Sequence, residues 1–133
     1  MIKKDIETRA DVYLLVSSFY DKVKKDDFLG PFFIPIIKDW NAHIERLTTF
    51  WESNLFMTRK LEQKYSGNPL EVHVKVDRDN NKSITEHHFG VWLNLWFKTI
   101  DEHFQGEVAD NAKRRARKMS TFLYINIFQS REN

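Results

Sequence analysis

The sequence predicts an all-α protein, because apolar residues recur at helical spacing along most of the chain. Its 133 residues suit one domain, and no repeat, linker or low-complexity tract divides residues 1–133. Aromatic residues are unusually frequent, with eleven Phe, four Trp and four Tyr making 14% of the chain. These rings either pack only on one another, the simpler interpretation, or surround something planar.

The first predicted helix spans about residues 5–25 and has a broad apolar stripe. The members of this stripe are Val12, Tyr13, Leu15, Val16, Phe19, Tyr20 and Val23. Gly30, Pro31 and Pro35 then predict a tight apolar corner. A second helix is predicted from about Asp39 to the SGNP turn at 66–69. Its inward residues are Trp40, Ile44, Leu47, Phe50 and Trp51.

The stretch GNPLEVHVKV, residues 67–76, carries two conflicting signals. Alternation of three valines with polar residues is typical of a half-buried strand. Asn68, Pro69 and Glu71 instead resemble an N-cap, a first-position proline and a capping glutamate, which predict a helix start. On a strand His73 would be an ordinary surface residue, whereas on a helix it would face the buried side. Periodicity leaves both interpretations open.

Two amphipathic helices are predicted in the rest of the chain. Ser83 with Glu86 predicts a capping box at the start of the first. The apolar face of that helix consists of Phe89, Trp92, Leu93, Trp96, Phe97, Ile100 and Phe104. The last helix has small or apolar residues at alternating spacings of three and four, which permit close approach to a neighbour. These residues are Ala109, Ala112, Ala116, Met119 and Leu123.

Charge and composition argue against several classes of function. A net charge of +2 does not indicate nucleic-acid binding, and the basic run KRRARK at 113–118 is best interpreted as a solvated helix face. The five histidines form no zinc motif, and cysteine is absent, which fits a reducing cytoplasm. The apolar stretch at 28–37 is too short to span a bilayer, and the N-terminal residues do not resemble a secretory signal. We therefore expect a soluble cytoplasmic protein without a membrane or nucleic-acid partner.

Three hydrogen-bonding side chains, Tyr20, His43 and Trp92, lie on the apolar faces of three different predicted helices. Taken one at a time, each is explained by a local partner or a place at the edge of the core. Taken together, they are what a buried polar ligand would require. A diatomic molecule bound to iron is such a ligand.

At this point the sequence resembles the truncated, two-over-two helical globins, and in particular their third group. The resemblance is carried by motifs in the family's order and nearly its spacing, over about four fifths of the chain. These motifs are FYDKV (19–23), LGPFF (29–33), WNAHIERLTTFW (40–51), GNPLEVH (67–73) and FGVWLNLWF (89–97).

The resemblance implies a haem b pocket and assigns a role to each matching position. His73 would be the proximal iron ligand, which favours the helical interpretation of GNPLEVH. Tyr20, His43 and Trp92 would be the distal donors toward a bound ligand. The positions that would pack against the porphyrin are Phe33, Leu47, Phe50 and Phe89.

One departure from the family concerns the loop between His73 and Trp92. This loop is longer than expected and lacks the usual prolines, so its contacts with the haem edge do not follow from the resemblance. Lys75, Arg78 and His88 are candidates for binding a propionate. Coordination of the iron by His43 itself is also open.

The expected function is binding of O2, NO or a similar small ligand at an open iron site. Two distal donors would hold oxygen too long for a carrier, which favours chemistry on oxygen, nitric oxide or peroxide, or sensing. NO dioxygenation and a weak peroxidase-like activity, with an unidentified reductase partner, are the enzymatic candidates. Strong peroxidase activity is not favoured, because the acid nearest to His73, Glu71, is already used by the predicted cap. The alternative is a haem-free helical interaction module with a globin-like core.

Overall fold

The computed structural model describes residues 3–56 and 85–131, and every regular element within them is a helix. The helices are α1 (Arg9–Lys25), α2 (Gly30–Phe33), α3 (Trp40–Phe56), α4 (Glu86–His103) and α5 (Glu107–Arg131). The all-α class predicted from the sequence is confirmed. The stretch 67–76 lies outside the described residues, so the choice between strand and helix there stays a prediction.

Helix α1 begins at Arg9, later than the predicted residue 5, because a capping box defines its start. The Thr8 hydroxyl accepts a hydrogen bond from the Asp11 backbone N–H, and the Asp11 carboxylate accepts one from the Thr8 N–H, each at 3.2 Å. The predicted stripe is buried except for Tyr13, which is 43% exposed. Including Tyr13 was wrong, because it lies one helical step of about 100° from Val12, at the edge of the buried arc.

The predicted apolar corner contains the single turn α2. Asp26 stabilises the approach to this turn, because its Oδ1 accepts hydrogen bonds from the backbone N–H groups of Phe28 and Leu29. Gly30 is required by close approach: a Cβ at this position would lie 2.6 Å from the carbonyl oxygen of Lys24. The corner therefore folds back on the C-terminal end of α1, with Leu29 buried.

The starts of α3 and α4 are both capped by side chains. Asp39 Oδ1 accepts a hydrogen bond from the Ala42 N–H at 3.1 Å, as expected for a helix that begins near Asp39. The N-cap of α4 is Thr85, so the predicted capping box of Ser83 with Glu86 was wrong. His88 replaces the usual Glu or Gln: its Nδ1 accepts a hydrogen bond from the Thr85 N–H at 2.9 Å.

The helices form two pairs in two layers, α1 with α3 and α4 with α5, joined by contacts between α1 and α4. This is the predicted two-over-two arrangement. Ala109, Ala112 and Ala116 of α5 are fully buried, which lets α5 approach α4 closely. The approach also supports a hydrogen bond of 3.2 Å from Trp96 Nε1 to the Ala112 carbonyl oxygen.

The basic run of α5 lies mainly in solvent or pairs with neighbouring helices. Lys113 bonds to Asp101, Arg115 donates to Asn54, and Arg117 lies over the ring of Phe97. Such a distribution agrees with the predicted solvated face. Within 3–56 and 85–131, no helix combines the length and apolar character that crossing a bilayer requires.

Candidate functional site

A cavity of about 580 Å³ lies between the two layers of helices. Its volume falls inside the range of about 300–1,000 Å³ that is common for small-molecule sites. Every described helix, or the corner next to it, contributes to the wall. The wall is mainly aromatic and aliphatic, with a few polar side chains, which is the usual composition of a cofactor or ligand pocket.

The structure brings seven of the eight predicted site residues to this one cavity. The lining includes Tyr20, Phe33, His43, Leu47, Phe50, Phe89 and Trp92. These seven residues come from four different helices, and the first and last of them, Tyr20 and Trp92, are seventy-two positions apart in the chain. Their convergence therefore depends on how the chain folds. The eighth residue, His73, lies outside the described residues, as do Lys75 and Arg78. The roles assigned to all eight stay predictions.

Tyr20 and His43 contact each other across the interface of α1 and α3. Their ring centroids are 5.0 Å apart and their planes are nearly perpendicular. Tyr20 is only 6% exposed, because Phe19 packs edge-on against it and Trp40 covers it from α3. The phenol ring of Tyr20 and the imidazole of His43 thus lie side by side at the cavity.

Trp92 reaches the same cavity from α4. Its ring packs edge-on against Phe19 at 5.5 Å and lies parallel to Trp96 at 6.0 Å between centroids. Phe19 therefore packs edge-on against both Trp92 and Tyr20. Since an indole nitrogen can only donate, Trp92 contributes a donor and no acceptor.

The four predicted packing residues form the apolar part of the wall. Phe33 comes from α2, Leu47 and Phe50 from α3, and Phe89 from α4. All four are only partly buried, although they are large apolar side chains. Large apolar side chains that line a shared volume and are only partly buried are suited to pack against a planar apolar molecule.

Sequence reasoning missed two cationic residues in the lining, Lys38 and Arg46. Arg46 stands three residues after His43 and four before Phe50, so the helical spacing of α3 could have found it. Lys38 lies just before α3, where no periodic signal exists. Asp39 adds one carboxylate to the same lining, so the two cations outnumber it. Lys38 and Arg46 are therefore suited to bind an acidic group at the edge of the cavity.

His88, a predicted candidate for propionate binding, also lines the cavity. Its ring packs against Phe28 at 4.4 Å and Phe32 at 5.0 Å between centroids. Because its Nδ1 accepts the Thr85 N–H bond, the neutral imidazole holds its proton on Nε2. His88 is thus a potential donor at the cavity wall.

The cavity also includes residues that sequence reasoning had assigned only to helix packing. Met119 and Leu123 continue the small-residue face of α5 into the cavity, and Trp51 and Trp96 close its inner side. Among the described residues, no group of three or more His, Asp or Glu side chains is arranged to bind a metal ion. The described wall thus provides ring surface, hydrogen-bond donors and cations.

Comparisons with known proteins identify relatives of this chain in sequence and in fold. No protein-family model matches it. A group 3 truncated haemoglobin of Campylobacter jejuni is 27% identical over 119 residues, which cover 86% of this chain and 87% of that protein. The crystal structure of the group III truncated haemoglobin from Campylobacter jejuni superimposes with a TM-score of 0.80, at 23% identity, covering 95% of each chain. This chain is therefore similar in sequence to a group III truncated haemoglobin of Campylobacter jejuni and shares its two-over-two helical fold.

Proposed function

We propose that this protein binds haem b in the cavity and uses it to bind O2, NO or a similar small ligand. The observation that carries the proposal is the convergence of Tyr20, His43 and Trp92 on one aromatic cavity of about 580 Å³. The relatives are named truncated haemoglobins, which supports the same cofactor here.

The residues present fit a haem group in shape and in charge. Phe33, Leu47, Phe50 and Phe89 offer apolar surface to the porphyrin plane. Lys38 and Arg46 would pair with the propionates, and His88 would donate to one of them from Nε2. The cavity thus combines a mainly apolar wall with two cations and the single carboxylate of Asp39, which suits an amphipathic planar cofactor.

His73 would hold the iron from the proximal side. When bound, haem would supply an iron that a protein imidazole holds and that can bind an exogenous ligand. On the opposite side of the iron, the side chains of Tyr20, His43 and Trp92 would act on the exogenous ligand through hydrogen bonds. The Tyr20 hydroxyl and the Trp92 Nε1–H are donors, and a neutral His43 donates from one ring nitrogen.

These donors favour retention of a ligand that carries negative charge. A hydrogen bond to a charged acceptor contributes about 1.5–3 kcal/mol, which slows ligand loss by about tenfold to a hundredfold. Two such bonds would make release too slow for transport. We therefore propose chemistry on oxygen or nitric oxide, or sensing, in place of bulk oxygen carriage.

The test is haemin uptake by the purified apoprotein, followed by absorption spectroscopy. The expected result is one haem per chain and a Soret band, and in His73→Ala a strongly weakened or displaced band. His103→Ala is the matched control, because His103 lies on α4 but does not line the cavity.

A wild-type protein that takes up no haemin would favour the alternative of a haem-free interaction module. An unchanged band in His73→Ala would show that another residue holds the iron.

A further inference from the structure

Three of the four tryptophans form a stack along the inner wall of the cavity. Trp92 and Trp96 are parallel, with an angle of 6° and 6.0 Å between ring centroids. Trp96 stacks in turn on Trp51 of α3, at 28° and 4.7 Å. Trp51 and Trp96 are 3% and 1% exposed, and all three rings line the cavity.

The stack differs from the other ring contacts of the core. Phe19 meets both Trp92 and Trp96 edge-on, at 86° and 89°, which is one of the arrangements that aromatic packing prefers. The three indoles instead face one another. Facing π-systems share a positive charge, which lowers the free energy of removing an electron from any one of them. Indole is also among the most easily oxidised side chains.

Resting on the proposed haem function, we infer that the stack of Trp92, Trp96 and Trp51 is an internal electron donor. It would supply electrons to the haem site after hydrogen peroxide has oxidised that site. Overall, one peroxide, two protons from solvent and two indoles give two waters and two indole radical cations. Each of the two indoles loses one electron from its ring and keeps its Nε1 proton. The two electrons break the O–O bond, and the two protons complete the waters.

The hydrogen bond of Trp96 and its central place in the stack define its role. Trp96 Nε1 donates to the carbonyl oxygen of Ala112 at 3.2 Å, and a peptide carbonyl is too weak a base to take the proton. An oxidised Trp96 therefore keeps its proton and its positive charge. Because Trp96 stacks on both Trp92 and Trp51, it relays this charge between them.

Two other oxidisable residues lie near the cavity but are less suited to the role. The Nζ atom of Lys24 lies 4.6 Å above the ring of Trp40, and this cation opposes the loss of an electron from the ring beneath it. Tyr20 meets Phe19 and His43 edge-on, at 73° and 81°, so neither of these rings shares a positive charge with it. In the stack, by contrast, facing rings share the charge.

The test uses the haem-loaded full chain, mixed with hydrogen peroxide and frozen rapidly for electron paramagnetic resonance. One sample carries ring-deuterated tryptophan and another ring-deuterated tyrosine. The expected radical signal narrows only in the tryptophan-labelled sample. Because this measurement needs no substitution, it is independent of how any variant folds.

Variants then locate the radicals within the chain. Trp96→Phe removes the relay and should lose the Trp51 part of the signal, and Trp51→Phe should lose the same part. Trp40→Phe is the matched control and should leave the signal unchanged. A signal that narrows with labelled tyrosine, disappears in Trp40→Phe or is absent despite a normal Soret band overturns the inference and leaves the haem proposal standing. Absence of haem uptake contradicts the proposed function itself.

Discussion

The two ends of the helical core are built differently. The closed end consists of Ile6, Val12, Ile100, Phe104 and Ala109, all at most 3% exposed. At the cavity end, Phe33, Leu47, Phe50 and Trp92 are only partly buried against the same core. One end fills its interior with its own side chains, whereas the other surrounds a volume of about 580 Å³.

Polar groups follow the same division. At the closed end, Asp5 accepts hydrogen bonds from the N–H groups of Val108 and Ala109, each at 2.9 Å, and thereby caps α5. Gly106, with φ of +145°, makes room for that carboxylate. These polar groups satisfy one another and stabilise the fold. The donors Tyr20, His43 and Trp92 instead share an apolar cavity, which is what ligand recognition requires.

The largest expected difference between the two ends concerns truncation of an aromatic ring in the apoprotein. Phe104→Ala would open a new void in a filled region and should lower the free energy of unfolding by about 3–5 kcal/mol. Phe33→Ala removes a ring that already faces the cavity and should cost much less. Urea unfolding of both apoproteins measures the contrast, and equal losses would contradict the division into a filled end and a hollow one.

The next effect concerns the distal donors in the haem-loaded protein. Tyr20→Phe and Trp92→Phe each remove one donor while keeping an aromatic ring, so oxygen release should accelerate by about tenfold to a hundredfold. Stopped-flow release of bound oxygen measures the rate. Tyr13→Phe is the control, because Tyr13 is an exposed residue of the same helix. If neither donor variant changes the release rate, the proposed distal role is wrong.

Much of this architecture could be predicted from the sequence, because helical periodicity records which face of each helix is buried. The small-residue face of α5 and the apolar face of α4 both appear in the structure. The motifs also identified the side chains that converge on the cavity. Periodicity predicts the ends of helices poorly. At the start of α4, for example, Thr85 is the N-cap and His88 takes the place in the capping box that Glu or Gln usually has.

Other features could not be predicted because they depend on contacts between distant segments. The clamp of Asp5 on α5 joins residues more than a hundred positions apart. The stack of Trp51 on Trp96 depends on how α3 meets α4, which neither helix encodes alone. Lys38 lies outside any periodic segment, so its place at the cavity follows only from the path of the corner.

A smaller effect is expected from removing the clamp at the closed end. Asp5→Ala would leave two N–H groups at the start of α5 without their carboxylate and should lower the free energy of unfolding by about 1–2 kcal/mol. Asp5→Asn keeps one acceptor oxygen and should lose less. Chemical denaturation of the two variants measures this order. A loss of haem affinity without a loss of stability would contradict the purely structural role of the clamp.

The smallest effect concerns the pH dependence of the same end. Burial acts to raise the pKa of Asp11, but hydrogen bonds from Lys4 and from the backbone N–H groups of Glu7 and Thr8 outweigh it, so this pKa lies below its ordinary value. A carboxyl with a lowered pKa stabilises the fold above its unfolded-state pKa, about 3.9, and this stability is lost as the pH falls through the lower, folded-state value. The difference in the free energy of unfolding between wild type and Asp11→Asn should therefore be constant from about pH 5 to 7 and shrink below about pH 4.

Asp27→Asn, at an exposed position, is the control and should leave the free energy of unfolding unchanged. A difference between wild type and Asp11→Asn that grows on acidification would contradict the proposed network.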